Sequence, residues 1–136
     1  MESYLLKKLA TVAELDAEDC QAIDRLSRHV RPFKRGQEII GEGVRPDHLH
    51  LMIDGWSARY KSLRDGTRQI VGLMIPGDFC DLHVQILGAM DHSIVALGDC
   101  QVAFIAAGEF ENLTSHGSRL TQALWWTTLV DEAVLR

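Results

Sequence analysis

What most limits the shape of this chain is the spacing of its turn-forming residues. Gly36, Gly41, Gly43, Pro46, Asp54-Gly55, Asp65-Gly66 and Pro76-Gly77-Asp78 recur about every 5–12 residues through the middle of the sequence. Helices of ordinary length do not fit between such marks; short strands do. Between the marks the apolar period is two. In His48–Ile53, Leu49, Leu51 and Ile53 share one face and His48, His50 and Met52 the other. In the next run Arg59, Lys61 and Leu63 oppose Ala58, Tyr60 and Ser62, and Asp65-Gly66 then reads as a hairpin turn into a strand at Ile70–Ile75. Ile94–Leu97 and Val102–Ala106 complete a set of about eight short strands, the grammar of a sandwich or barrel.

Both ends change period. Tyr4, Leu5, Leu6 and Leu9 form a short helical face, and Asp16 stands at an N-cap position with Asp19 three residues on and Ala22, Ile23 and Leu26 behind it. At the other end Ser118 is the expected N-cap of a helix running through Leu120, Ala123, Leu124, Trp126, Leu129, Val130 and Val134. Ala123, Trp126, Val130 and Ala133 repeat at 3–4–3 spacing, and adjacent Trp125 and Trp126 cannot both enter one small core. Part of this helix is therefore expected to meet a second chain, with Leu120, Leu124, Trp126, Val130 and Val134 as its contact set. The fold class expected is mainly β with flanking helices, a jelly roll carrying a long C-terminal dimerisation helix.

Composition narrows the chemistry. The 136 residues hold 14 Lys and Arg against 19 Asp and Glu, a net −5, which argues against this stretch alone gripping a phosphate backbone. The local run Arg25, Arg28, Arg31, Lys34 and Arg35 reads as a solvated helix end entering an edge strand. Cys20, Cys80 and Cys100 form no CxxC pair, so neither a zinc ribbon nor a disulfide framework is indicated. No apolar run is long enough for a membrane span, and the first ten residues carry Glu2, Lys7 and Lys8 in place of an apolar signal region, so a cytoplasmic protein with no membrane partner is expected. With no nucleophile elbow, HExxH or Walker loop, the chain is not expected to be an enzyme.

One ordered series of residues resembles a known family. Gly36, Ile39, Glu42-Gly43, Asp47, Leu49, Leu51-Met52 and Gly55, then Asp65-Gly66 with Arg68-Gln69-Ile70, then Pro76-Gly77-Asp78-Phe79, resemble the effector domain of Crp/Fnr-type bacterial transcription regulators, which has the cyclic-nucleotide-binding fold. The resemblance runs from about residue 5 to 136. It implies a double-stranded β-helix sensor domain with N-terminal helices over 1–117, the start of a dimerisation helix over 118–136, and a helix-turn-helix DNA-binding domain absent from this chain. It further implies a homodimer that meets DNA only through that missing part.

The resemblance also places a ligand. In family members that bind cyclic nucleotides, a helix N-terminus and an Arg hold the phosphate while an acidic side chain takes the ribose hydroxyl. Here the matching stretch is Gly77, Asp78, Phe79, Cys80, Asp81 and Leu82, then His92 and Ser93. Asp81 would stand for the sugar-binding acid and Ser93 for a hydroxyl beside the Arg, but the Arg itself is replaced by His92 with Asp91 adjacent. An imidazole is mostly uncharged at neutral pH, so the effector expected is a small molecule other than a classical cyclic nucleotide. An iron–sulfur cluster of the Fnr kind needs four cysteines, and no cofactor or metal is expected. Two rivals remain. One is a cupin-like metal protein built from His48 and His50 with Cys80, His83 or His92, although His48 and His50 read as exposed positions alternating with buried leucines. The other is a dimeric interaction module that needs no ligand.

Overall fold

A computed structural model describes residues 3–115 and 119–134. Helix α1 (Tyr4–Ala10) is capped by the Ser3 hydroxyl, and α2 (Ala17–Leu26) opens on the full reciprocal box: Asp16 accepts from the Asp19 amide and Asp19 accepts from the Asp16 amide. Seven strands follow: β1 (Val30–Phe33), β2 (Glu38–Ile40), β3 (His48–Asp54), β4 (Ser57–Ser62), β5 (Arg68–Met74), β6 (Ser93–Ala96) and β7 (Cys100–Ala106). A short α3 (Val84–Leu87) interrupts them between β5 and β6; α4 (Ala107–Thr114) and α5 (Arg119–Val134) close the chain. The expected cap Ser118 lies outside the described residues.

The strands form two antiparallel sheets, ordered β1-β7-β3 and β2-β6-β4-β5. Among the described residues an eighth strand is not formed. In its place residues 77–80 lie along β3 through Gly77 N to Met52 O, Met52 N to Asp78 O and Cys80 N to His50 O, at 2.8–2.9 Å. The basic run behaves as a rim: β1, which carries Arg31, is an edge strand, and Arg31 rests on the Phe104 ring.

Two apolar clusters follow from the period of two, and both faces of the first sheet are covered. Leu49, Leu51, Ala103 and Ile105 point outward against α1, α2, α4 and α5, whose Leu5, Leu9, Ile23, Phe110, Leu120 and Leu124 complete one cluster. Met52 and Val102 point inward to Ile40, Met74, Ile94 and Cys100 between the sheets. His50 takes an inward position, so the expectation that it is exposed fails: it is only 4% accessible, while His48 at the strand's start is exposed. The turn at Asp54-Gly55 requires glycine. Gly55 has φ +78°, and a Cβ there would lie 2.5 Å from the Asp99 carbonyl oxygen.

Candidate functional site

One cavity, of ≈ 440 Å³, lies where β4, β5, the 79–92 segment and α5 converge. Arg59 and Lys61 of β4, read from sequence only as the face opposite Ala58 and Tyr60, line it. Val71, Phe79, Leu82, His83, Leu87, Asp91 and His92 form further walls, and Thr127, Thr128, Asp131 and Glu132 of α5 close it. The alternation on β4 therefore separates the inter-sheet core from this cavity rather than from bulk water.

Of the expected ligand residues, Phe79, Leu82 and His92 line the cavity and the others are engaged elsewhere. Gly77 (φ +94°) packs on the start of α1, where a Cβ would sit 3.1 Å from the Tyr4 carbonyl carbon. Asp78 binds Lys8 Nζ at 2.7 Å through one oxygen and accepts the Ile75 amide with the other. Cys80 is fully buried in the inter-sheet cluster, and its thiol is pushed well up by burial, with the Asp81 carboxylate adding to the shift. Asp81 is also fully buried. Its Oδ1 accepts the His50 amide at 2.8 Å and its Oδ2 meets His50 Nδ1 at 2.6 Å, so the pair locks the segment to β3. Ser93 Oγ accepts the Glu42 amide at 2.9 Å and ties β6 to the 41–44 turn. The residues matched by resemblance to a sugar-binding acid and its hydroxyl thus hold the protein's own backbone.

The polar groups that do face the cavity form two sets. On one side Arg59 donates to the Phe79 carbonyl at 3.3 Å and stands 3.7 Å from Asp131 Oδ2, which links the roll to α5. Burial raises the Asp131 pKa against the opposing pull of Arg59. Sequence reading missed both, because no local pattern at either residue shows that α5 lies against β4. On the other side Asp91 Oδ1 meets His92 Nδ1 at 2.6 Å and His83 Nε2 at 3.3 Å. Partial burial works to raise the Asp91 pKa, but the hydrogen bond from His92 and the two imidazoles hold it below the ordinary value, and burial lowers that of His83. The 3.3 Å contact is close enough for an ion pair but is not aligned as a hydrogen bond, so His83 Nε2 has no such partner; Arg59 Nε and His92 Nε2, both at this cavity, have none either. Among the described residues, His83, Asp91 and His92 are the group placed to hold a metal ion. The rival set built on His48 and His50 does not assemble: His48 is exposed beside Asp47, and His50 is committed to Asp81.

This geometry has relatives. The sequence profile of the cyclic nucleotide-binding domain matches residues 30–116. The chain belongs to this family. Within it, this cyclic nucleotide-binding domain is homologous to Crp/Fnr-type regulators. It is 32% identical over 108 residues to the nitrogen fixation regulation protein FixK of Bradyrhizobium diazoefficiens, covering 77% of this chain and 44% of that one. It is 36% identical over 74 residues to the transcriptional activatory protein AadR of Rhodopseudomonas palustris, covering 54% and 30%. The domain thus spans less than half the length of these relatives. Its fold is shared with the c-di-GMP responsive global regulator CLP of Xanthomonas campestris (TM-score 0.73, 17% identity, 88% of this chain and 60% of that one). It is also shared with the catabolite activator protein of Thermus thermophilus (TM-score 0.69, 18% identity, 85% and 56%). Among the described residues no helix is long and apolar enough to cross a membrane.

Proposed function

We propose that this cyclic nucleotide-binding domain is the effector-sensing and dimerisation part of a cytoplasmic Crp/Fnr-type transcription regulator, and that its effector is a small molecule other than cAMP or cGMP. The observation that carries the reading is the cavity walled jointly by the roll and α5 and crossed by the Arg59–Asp131 pair. A ligand that prefers one placement of α5 shifts the equilibrium between placements by its difference in affinity, on the order of 1–3 kcal/mol in such systems. In this reading DNA contact belongs to a helix-turn-helix outside residues 1–136, and the domain does no catalysis. The family phosphate site is altered in a way that favours a different ligand: at the position of the Arg stands His92, hydrogen-bonded to a carboxylate, and Asp81 is already occupied by His50.

The partner surface we assign to α5 differs from the contact set expected from sequence. Leu120 and Leu124 are 2% and 3% accessible and pack in the protomer's own core, as does Ala123 of the 3–4–3 seam, so these three cannot touch a second copy directly. Trp125, Leu129 and Val134 are exposed at 57%, 45% and 79%, and Trp126 and Val130 are half-buried at their flank. The test of the sensor reading is a melting-temperature screen of the purified chain with cAMP, cGMP, 2-oxoglutarate and haem, repeated with Arg59→Ala. No shift with cAMP or cGMP is expected, and a shift from any other compound should vanish in Arg59→Ala. A clear rise with cAMP would overturn the assignment of His92.

A further inference from the structure

The His83–Asp91–His92 cluster has a donor set that an organic effector does not explain. His83 stands at the entry of α3, and Asp91 and His92 on the connection into β6, so the chain brings them together across the turn at Gly88. One ligand atom from each lies within 4.8 Å of the others. An ionised carboxylate only accepts hydrogen bonds, so the 2.6 Å contact to Asp91 fixes the His92 ring proton on Nδ1 and leaves Nε2 as a bare lone pair. The His92 side chain is nine-tenths buried, and neither its Nε2 nor that of His83 has a hydrogen-bond partner. Buried polar nitrogens without partners are rare enough to call for an unseen ligand. With the His83 proton on Nδ1, the two imidazole lone pairs beside a carboxylate offer nothing to an anion and form a first shell for a cation. Outside the cluster the charged lining balances, Arg59 and Lys61 against Asp131 and Glu132, 2 − 2 = 0, so Asp91 gives the cavity its net negative charge.

We infer that His83, Asp91 and His92 bind a divalent first-row transition-metal ion of the zinc or ferrous class inside the effector cavity. An N₂O donor set favours these metals over Mg²⁺ and Ca²⁺, which prefer all-oxygen shells. Three protein ligands leave at least one coordination position open, in a cavity that Thr127 and Asp131 of α5 also line. The carboxylate–imidazole contact also orients the His92 ring, as is usual for metal-bound histidine. The ion would clamp the entry of α3 to the connection into β6, two points of the cavity wall that α3 and the turn at Gly88 separate in the chain.

The inference rests on the sensor reading for the cavity's role, and the two fail separately. Purified chain without a histidine tag, stripped with chelator, is titrated with Co²⁺ by visible absorption and with Zn²⁺ by calorimetry. One ion per chain is expected, with a melting-temperature rise that chelator reverses. His83→Ala and His92→Ala should each weaken binding by at least about tenfold, and His48→Ala, at the exposed start of β3, should leave it unchanged. The His83 side chain is 25% exposed, so His83→Ala supplies a folded variant even if His92→Ala does not. Absence of binding by the unaltered chain, or one-to-one binding that His83→Ala does not weaken, overturns the inference. Metal bound at these residues, with no melting-temperature shift from any compound of the effector screen, upholds the site and removes the sensor reading.

Discussion

Asp81 commits both carboxylate oxygens to His50, one to its amide and one to its ring. Removing the carboxylate leaves two buried donors without partners, so Asp81→Ala should lower stability by about 3 kcal/mol. The measurement is a urea unfolding curve, with a lower midpoint and unchanged slope as the expected result; an unaltered midpoint would return Asp81 to the role of a ligand residue. Thiol chemistry gives a second prediction at this scale. Cys80 and Cys100 are 0% and 3% accessible and burial raises the pKa of both, whereas Cys20 is half-exposed. A thiol reagent should modify Cys20 first in the native chain, and all three of its free cysteines only after unfolding. Rapid native labelling of Cys80 would contradict the packing between the sheets. Asp81 also shows why site residues were harder to read than strands: its spacing after Pro76-Gly77-Asp78-Phe79 fits a ligand acid, but whether a carboxylate faces a cavity or an imidazole depends on a partner thirty-one positions away.

At the scale of elements, what was legible in sequence is what depends on local chemistry. The Asp16–Asp19 box does start α2, Asp65-Gly66 does turn β4 into β5, and the period of two separates Leu49 and Leu51 from Met52. What was not legible depends on layers: a period of two says which residues share a face, not what covers it. A third layer of helices lies on one side of β3, so the opposite side is an interior and His50 is enclosed. The same reason hid Arg59, which faces α5 rather than water. The Arg59–Asp131 contact predicts a pH effect. The Asp131 pKa is raised in the folded chain by burial above its model-peptide value of 3.8, so the folded state holds that proton more tightly than the unfolded state. This group therefore subtracts stability as pH rises from about 3.8 through its folded pKa, and subtracts no more above it. Asp131→Asn should remove that decline, read as a flatter plot of melting temperature against pH on the acid side of neutrality. An unchanged plot would show that Arg59 compensates the burial fully.

For the whole molecule, exposed apolar residues form one patch on α3 and α5, which the proposed dimer would cover, and another on β5 at Ile70, Val71 and Leu73. Trp125 borders a groove of ≈ 530 Å³ with Ile86 and Leu87 of α3, and these two are exposed at 80% and 65%. Leu129 continues the same stripe one turn on, and Gln122, Trp125, Leu129 and Glu132, all exposed, keep the 3–4–3 spacing of a helix seam. The buried side of α5 holds Leu120, Ala123, Leu124 and Thr127, so one face of the helix serves the core and the other is left for the proposed partner. Substitutions on the two faces should therefore fail differently. Leu129→Glu should shift the sedimentation profile from dimer to monomer while the melting curve stays cooperative, because the added charge meets only the partner's stripe. Leu124→Glu should instead lower the melting temperature steeply, because it puts a charge among Phe110, Leu120 and Leu9 with no counter-ion. If Leu129→Glu left a dimer intact, the partner surface would have to move to the exposed Ile70 and Leu73 of β5. In that case a ligand under α5 would no longer press on the interface directly, and its signal would have to travel through β4 and Arg59.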